Sequence, residues 1–410
     1  MKVLGIIAEY NPLHQGHIYH LQQSKKQTEP DYTVVILGSD FTQRGEPSVF
    51  SKWKRAEFAV KAGADLVIQL PQVYTFSNAE YFAKGAVDIL KGLGCVTHLS
   101  FGSESEDLES LKAVAHLLAN ESPEFKNALS EAMDSGVSYP RARAEACAKV
   151  LGSKAETVLG NSNDILGIEY LKQLTGTETI TPVIIKRKGD NYNQRTPLSG
   201  YPSATAIRAL LREAFRRENS KSLEEIKAFL PPFVLRNVKD MTWPDENLFF
   251  SLITGKVLVS KAEELKDIYS VTEGLENKVK EEVFRAENLD SYVNLLVSKR
   301  YTRTRIQRLL AHLLFNFKRQ DFKTITQTEG IYGRVLAFNQ AGADLIKKLK
   351  KSDNLSIPLI TNLNKEIKNP ELKKSRLCLE YDLISANLYN LLAGLDLYRN
   401  SDMKKHPEIL

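Results

Sequence analysis

Over the first 225 residues, short apolar runs alternate with amphipathic stretches, and beyond that point the alternation stops. Val3–Tyr10 is nearly continuous in apolar residues and has the length of a buried strand, and His17–Lys26 then follows helical spacing. Tyr32–Gly38 (YTVVILG) predicts a second strand with a helix over 51–62. Leu66–Leu70 predicts a third, with a helix over 78–91, and Val96–Phe101 a fourth. Residues 105–175 read as mostly helical, and Thr181–Lys186 (TPVIIK) supplies a late strand. Such runs, with helices between them, mark βαβ units, whose parallel strands are covered on both faces and so lack polar alternation. The pattern predicts an α/β domain with a Rossmann-like parallel sheet over 1–225 and a helical insertion at 105–175.

After residue 225 the spacing is helical almost throughout, in stretches 245–268, 276–287, 289–298, 303–317 and 340–351. An α-helical domain is therefore expected over 226–410. A length of 410 residues suits two or three domains at about 150 residues each. Hydrophobic residues at 42% and charged residues at 26% exclude a disordered chain. The net charge is only +6, so a nucleic-acid partner would need locally clustered basic residues. Cys95, Cys147 and Cys378 lie far apart with no Cys-x-x-Cys, which excludes a disulfide framework and a cysteine-held zinc, and fits a reducing cytosol. The first apolar run stops at Glu9, too short for a signal-peptide core, and no run of 18 apolar residues exists. A cytoplasmic location is expected.

The chemistry concentrates where the first strand ends. Residues 10–17 read Tyr-Asn-Pro-Leu-His-Gln-Gly-His. Asn11 and Pro12 break the strand, Gly16 permits a tight turn, and His17 opens the next helix. A helix N-terminus offers unpaired N–H groups and a positive dipole, and two imidazoles on one turn can donate to phosphate oxygens. Gly16, lacking a Cβ, lets a nucleotide lie against the backbone. Two surface histidines on a loop are the plain alternative. His14, His17 and His20 also have a spacing of three, but no acidic cluster accompanies them, and no metal site is assigned.

Further candidates follow the other strands. Asp40, after the second strand, stands where a parallel sheet places ligands, to bind magnesium or orient reacting groups; a turn aspartate is the alternative. Gln43 and Arg44 share its loop and can reach a substrate or the end of an RNA. Gly102, past the fourth strand, suits a base or ribose touching backbone. Arg187 and Lys188, after the last strand, can meet phosphates, or simply end a solvated strand. In Ser203-Ala204-Thr205-Ala206-Ile207-Arg208, Ser203 is a good N-cap, Thr205 adds a hydroxyl and Arg208 is a phosphate fork. Finally, Lys299, Arg300, Arg303, Arg305 and Arg308 form a basic run without an acid, with Tyr301 among them as a possible stacking aromatic. If that run is helical, Tyr301, Arg305 and Arg308 share one face; a solvated helix face is the alternative.

His14-x-Gly16-His17 after the first strand resembles the HIGH motif of the nucleotidylyltransferase superfamily, whose members adenylylate a nucleophile with ATP and release pyrophosphate. The Ser203–Arg208 segment is similar to that superfamily's second motif, which holds the β- and γ-phosphates; Ala204 departs from it by one hydroxyl. Gly5–Pro12, Asp40–Pro47, Lys52–Ala56, Phe101–Glu104, Asn163–Tyr170, Ile185–Gly189 and Lys299–Arg308 together resemble the bacterial tRNA(Met) cytidine acetate ligase family, in the same order over most of the chain. The resemblance implies an ATP-dependent ligase that forms acetyl-adenylate from acetate and acetylates N4 of the wobble cytidine of elongator tRNA(Met). It further implies an ATP cradle from Ile7, Ala8, Glu9, Tyr10, Asn11, Pro12, Leu13, His14, Gln15, Gly16 and His17, with Gly102, Asn163, Arg187, Lys188, Ser203, Thr205 and Arg208. His14 and His17 would neutralise a triphosphate carried with Mg²⁺, assisted by Asp40, while Gln43, Arg44 and the basic run would hold tRNA. A plain adenylyltransferase of small metabolites, a non-catalytic RNA-binding protein with a nucleotide fold, and a zinc hydrolase are the rival readings.

Overall fold

The computed structural model describes residues 1–177, 179–188, 201–217, 220–239, 241–328, 330–397 and 400–410. Five strands form where the apolar runs predict them: β1 (Val3–Ala8), β2 (Tyr32–Gly38), β3 (Leu66–Leu70), β4 (His98–Ser103) and β5 (Thr181–Lys186). All five are parallel, in the spatial order β5-β4-β1-β2-β3. Every residue of β2 and β3 is buried, which is why neither run shows polar alternation. One face is covered by α1 (Gln15–Thr28), α2 (Lys52–Lys61) and the helices Ala204–Arg217 and Pro232–Val238. The other carries Ala79–Gly92, Ser162–Leu174 and the packed helices of the second half, whose core runs on unbroken into the sheet's.

The chain leaves β1 toward β2 on one side and later returns to β4 on the other. The order therefore reverses at β1, and a crevice opens beyond the carboxyl ends of β1 and β4, where open α/β sheets bind ligands.

The second half is not helical alone, contrary to its spacing. β6 (Gly333–Phe338) adds antiparallel to β3, with β7 (Leu359–Ile360) and β8 (Glu408–Ile409) parallel beside it. The sheet is thus mostly, not wholly, parallel. Arg334 interrupts the apolar run of β6, yet it is buried, because its guanidinium pairs with Asp402 at 2.6 Å. Asp402 also receives Lys52 Nζ at 3.1 Å and Trp53 Nε1 at 2.7 Å. Two cations thereby hold a buried carboxylate whose pKa lies well below the usual range; burial alone would raise it. Among the described residues, no helix is long and apolar enough to cross a membrane.

Candidate active site

His14 is the N-cap of α1 and not merely a neighbour of it. Its Nδ1 accepts the Gly16 N–H at 3.0 Å, while Nδ1 of His17 accepts the His14 N–H at 3.3 Å. The pair forms a reciprocal capping box built from imidazoles, with ring centroids 3.8 Å apart. A Cβ on Gly16 would lie 2.8 Å from Cε1 of His14, so the glycine between the histidines is what lets the ring fold onto the helix end. Because each Nδ1 is an acceptor, each neutral ring carries its proton on Nε2. Burial, with Arg187 and Arg208 nearby, pushes His14 down to about 3, and His17 is also lowered, first by burial. With both rings lowered by burial, the pair presents Nε2–H donors, and the permanent positive charge around them comes from arginines and lysines.

That charge lines the same cleft of about 420 Å³, formed by the ends of β1, β4 and β5, α1, the loop 42–44 and the start of the helix Ala204–Arg217. Ile7, Ala8, Glu9, Tyr10, Asn11, His14, Gly16, His17, Gly102, Asn163, Arg187, Lys188 and Arg208 all line it, and so do Gln43 and Arg44, which the sequence assigns to tRNA. Gly102 faces Arg187: an added Cβ would sit 3.2 Å from Arg187 Cγ, so this glycine lets the arginine lie flat across the strand. Asn163 stands in the first turn of its helix behind the N-cap Asn161, and its amide donates to Glu104 at 2.5 Å. Gly189 of that neighbouring motif lies outside the described residues.

Several expected contacts are elsewhere. Pro12, Leu13 and Gln15 do not line the cleft, and Leu13 is wholly in the core. Ser203 Oγ accepts the Ala206 N–H at 3.1 Å, and Thr205 Oγ1 receives Arg208 at 3.3 Å; neither lines the cleft. Arg208 also donates to the Asn11 carbonyl at 2.8 Å, bracing the loop after β1. Asp40 is corrected outright. It is 2% exposed and pairs with the buried Lys52 at 3.1 Å, so its carboxylate holds α2 and faces no substrate.

The basic run is only partly helical. Ser298–Tyr301 form a turn, Thr302 is the N-cap, and the helix runs Arg303–Leu314. Tyr301 is buried, donates to Glu273 at 3.0 Å and carries Arg305 over its ring at 4.6 Å, so it cannot stack on a base. Lys299 and Arg300 are exposed; Arg300 pairs with Glu273 at 3.0 Å and Arg303 with Asp290. Arg308 turns inward and donates to the Gln43 carbonyl at 3.3 Å; burial pushes it down to about 10. Gln307 meets Glu46 at 2.8 Å. Gly45, at φ +75°, allows this approach, since a Cβ there would lie 2.7 Å from the Gln307 carbonyl. The helix thus rests on the loop that walls the nucleotide cleft, and Thr304 itself lines it.

Sequence reasoning missed Arg55. Its guanidinium is fully buried in α2 and donates to Glu9 O at 2.6 Å, Gly38 O and Phe50 O at 3.0 Å, and Ser39 O. It ties together the carboxyl ends of β1 and β2. Its sequence signals were an arginine beside the apolar positions of an amphipathic helix and its place in the Lys52–Ala56 segment, neither of which told its role.

A cleft at the reversal point of a parallel sheet, with a His-x-Gly-His helix start and cations around it, defines a nucleotidyl transferase. A family model described as HIGH Nucleotidyl Transferase matches residues 1–404. The tRNA(Met) cytidine acetate ligase of Clostridium novyi is 38% identical, over 99% of both chains, and that of Caldanaerobacter subterraneus 39%, over 100% of both. Among solved structures, apo TmcAL from Thermotoga maritima superposes with a TM-score of 0.90 at 30% identity, and its complex with alpha-thio ATP with 0.88 at 31%, each over 100% of both chains. The chain belongs to the tRNA(Met) cytidine acetate ligase family.

Proposed function

We propose that this enzyme joins acetate to N4 of the wobble cytidine of elongator tRNA(Met) at the expense of ATP, in the cytoplasm. A carboxylate oxygen of acetate attacks the α-phosphorus of ATP, carried with Mg²⁺ as substrate, and pyrophosphate leaves in line. The cytidine amine then attacks the acetyl carbonyl and AMP leaves. Such chemistry asks for positioning and charge stabilisation more than for covalent help. Arg44, Arg187, Lys188 and Arg208 supply charge at the cleft, and His14 and His17 supply oriented Nε2–H donors at a helix N-terminus.

One observation carries the reading: the basic helix Arg303–Leu314 is docked on the 42–46 loop that walls the nucleotide cleft. A tRNA held there brings its base to the activated acyl group. Lys299, Arg300 and Arg303 are the phosphate contacts, and Gln43 and Arg44 approach the entering nucleotide. The test is ATP–pyrophosphate exchange with acetate as the sole carboxylate, followed by acetyl transfer to tRNA(Met). Exchange that needs a different carboxylate, or none at all, would refute the assignment.

A further inference from the structure

Among the described residues that line the cleft, five are cations and one is an acid, Glu9. A carboxylate is badly suited to a triphosphate, so this side chain needs another explanation. Its Oε1 accepts the Gln43 N–H at 2.6 Å, and its Oε2 has no hydrogen-bonding partner among the described residues. The Gln43 peptide is gripped from both sides: Glu9 holds its N–H and Arg308 of the basic helix its carbonyl, at 3.3 Å. Glu9 therefore stands at the seam between the histidine box that faces nucleotide and the helix that faces RNA, with one oxygen fixed and one open.

We propose that Glu9 is the catalytic base of the acyl-transfer step, receiving the exocyclic amine of the incoming cytidine. This rests on the ligase reading above. A carboxylate is the natural acceptor for cytosine N4–H₂. As the N4 lone pair forms a bond to the acetyl carbon, the bond from that carbon to the adenylate oxygen breaks and AMP departs with the electron pair. The N4 proton passes to Oε2 of Glu9, which releases it to solvent as products leave. Burial raises the carboxyl's pKa, against the pull of the Gln43 N–H, Arg55 from α2, Arg208 from the helix Ala204–Arg217 and Arg44 from the 42–44 loop. The net rise brings it toward the working pH of a base.

The two half-reactions separate this role from nucleotide binding. In Glu9→Gln, single-turnover transfer from preformed acetyl-adenylate to tRNA should fall about 100-fold or more relative to acetate-dependent pyrophosphate exchange. Glu9→Asp should recover part of the loss. In the unaltered protein the transfer rate should climb with pH and level off above the carboxyl's pKa, and this ionisation should vanish in Glu9→Gln. Exchange and transfer falling together, with excess Mg²⁺ restoring both, would overturn the proposal and make Glu9 a nucleotide-side group. A transfer rate without ionisation in the unaltered protein would overturn it even if no variant folds. Absence of acetate-dependent exchange in the unaltered protein would overturn the ligase reading itself, and is distinguished because it precedes any substitution.

Discussion

His14 and His17 hold one another's ring in a single tautomer: each Nδ1 accepts a backbone N–H of the helix they begin, leaving both Nε2–H groups without a hydrogen-bond acceptor among the described residues. Burial and the neighbouring cations lower the basicity of both rings, and protonating either Nδ1 would in addition break a cap. The motif works as a pair of oriented dipoles on a helix end, with mobile charge left to the arginines and lysines.

Capping and catalysis can be separated at His14. His14→Ala should cost about 1 kcal/mol of stability through the lost cap. It should also slow acetate-dependent pyrophosphate exchange by about two to three decades, the scale of one oriented donor. His14→Asn should keep the cap, because asparagine is a preferred N-cap, yet show the same kinetic loss. His17→Ala should lose a similar rate. Denaturant midpoints beside exchange rates check this; normal exchange in both alanine variants would remove the segment from ATP chemistry.

Acid stability follows from two buried imidazoles. His14 and His312 are both pushed from 6.5 to about 3, mainly by burial. Nδ1 of His312 pairs with Ser270 Oγ at 2.8 Å and its Nε2 with the Phe76 carbonyl at 3.1 Å. Between pH 6.5 and about 3 the unfolded chain binds protons that the native state refuses, so stability falls as pH falls; above that window these two groups contribute no slope. Each approaches about 1.4 kcal/mol per pH unit once the unfolded imidazole is fully protonated and loses about 1 kcal/mol over the first unit, hence about 2 kcal/mol for the pair between pH 6.5 and 5.5. Urea midpoints across that range measure it, and a flat profile would mean that neither ring is held neutral.

What the sequence could show was set by where each residue's partners lie. β2 and β3 were legible to the residue because burial on both faces leaves a continuous apolar run, and β5, a half-buried edge strand, was legible from its β-branched residues. β6 was hidden because Arg334 breaks its run, and the aspartate that makes this arginine tolerable is 68 residues away. The histidine box was legible because it is local to one helix turn. Asp40 was misread since a strand end hosts structural ion pairs as readily as ligands, and Lys52 decides between them. The role of Arg55, inside the Lys52–Ala56 segment, could not be read because its partners are carbonyls, which every residue owns.

Arg55 should be intolerant even of lysine. Four carbonyls from three segments share one fork, and an ammonium with three donors cannot match that planar geometry. Arg55→Lys should lower stability by about 2–4 kcal/mol and raise the KM for ATP, since the backbone at the carboxyl ends of β1 and β2 would no longer be fixed beneath the cleft. Arg55→Met should be worse, leaving buried carbonyls unsatisfied. A thermal melt and ATP titration of exchange test both; an unchanged KM in a folded lysine variant would limit Arg55 to stability.

The arginines of the basic run should divide into two groups. Lys299, Arg300 and Arg303 lie toward solvent, and the last two hold only surface partners. Neutralising all three to glutamine should leave pyrophosphate exchange intact and weaken tRNA binding. If each meets one phosphate, the slope of log affinity against log salt should become shallower by about two to three units, with the loss greatest at low salt. Arg308→Gln should behave differently. Its fork braces the Gln43 carbonyl of the cleft wall, so exchange and transfer should both decline, with little change in salt slope. Filter binding across a salt series, run beside the two half-reactions, separates these patterns. An unchanged slope and normal transfer in the triple variant would make the exposed run a solvated face, and the tRNA surface would then lie on another part of the helical half.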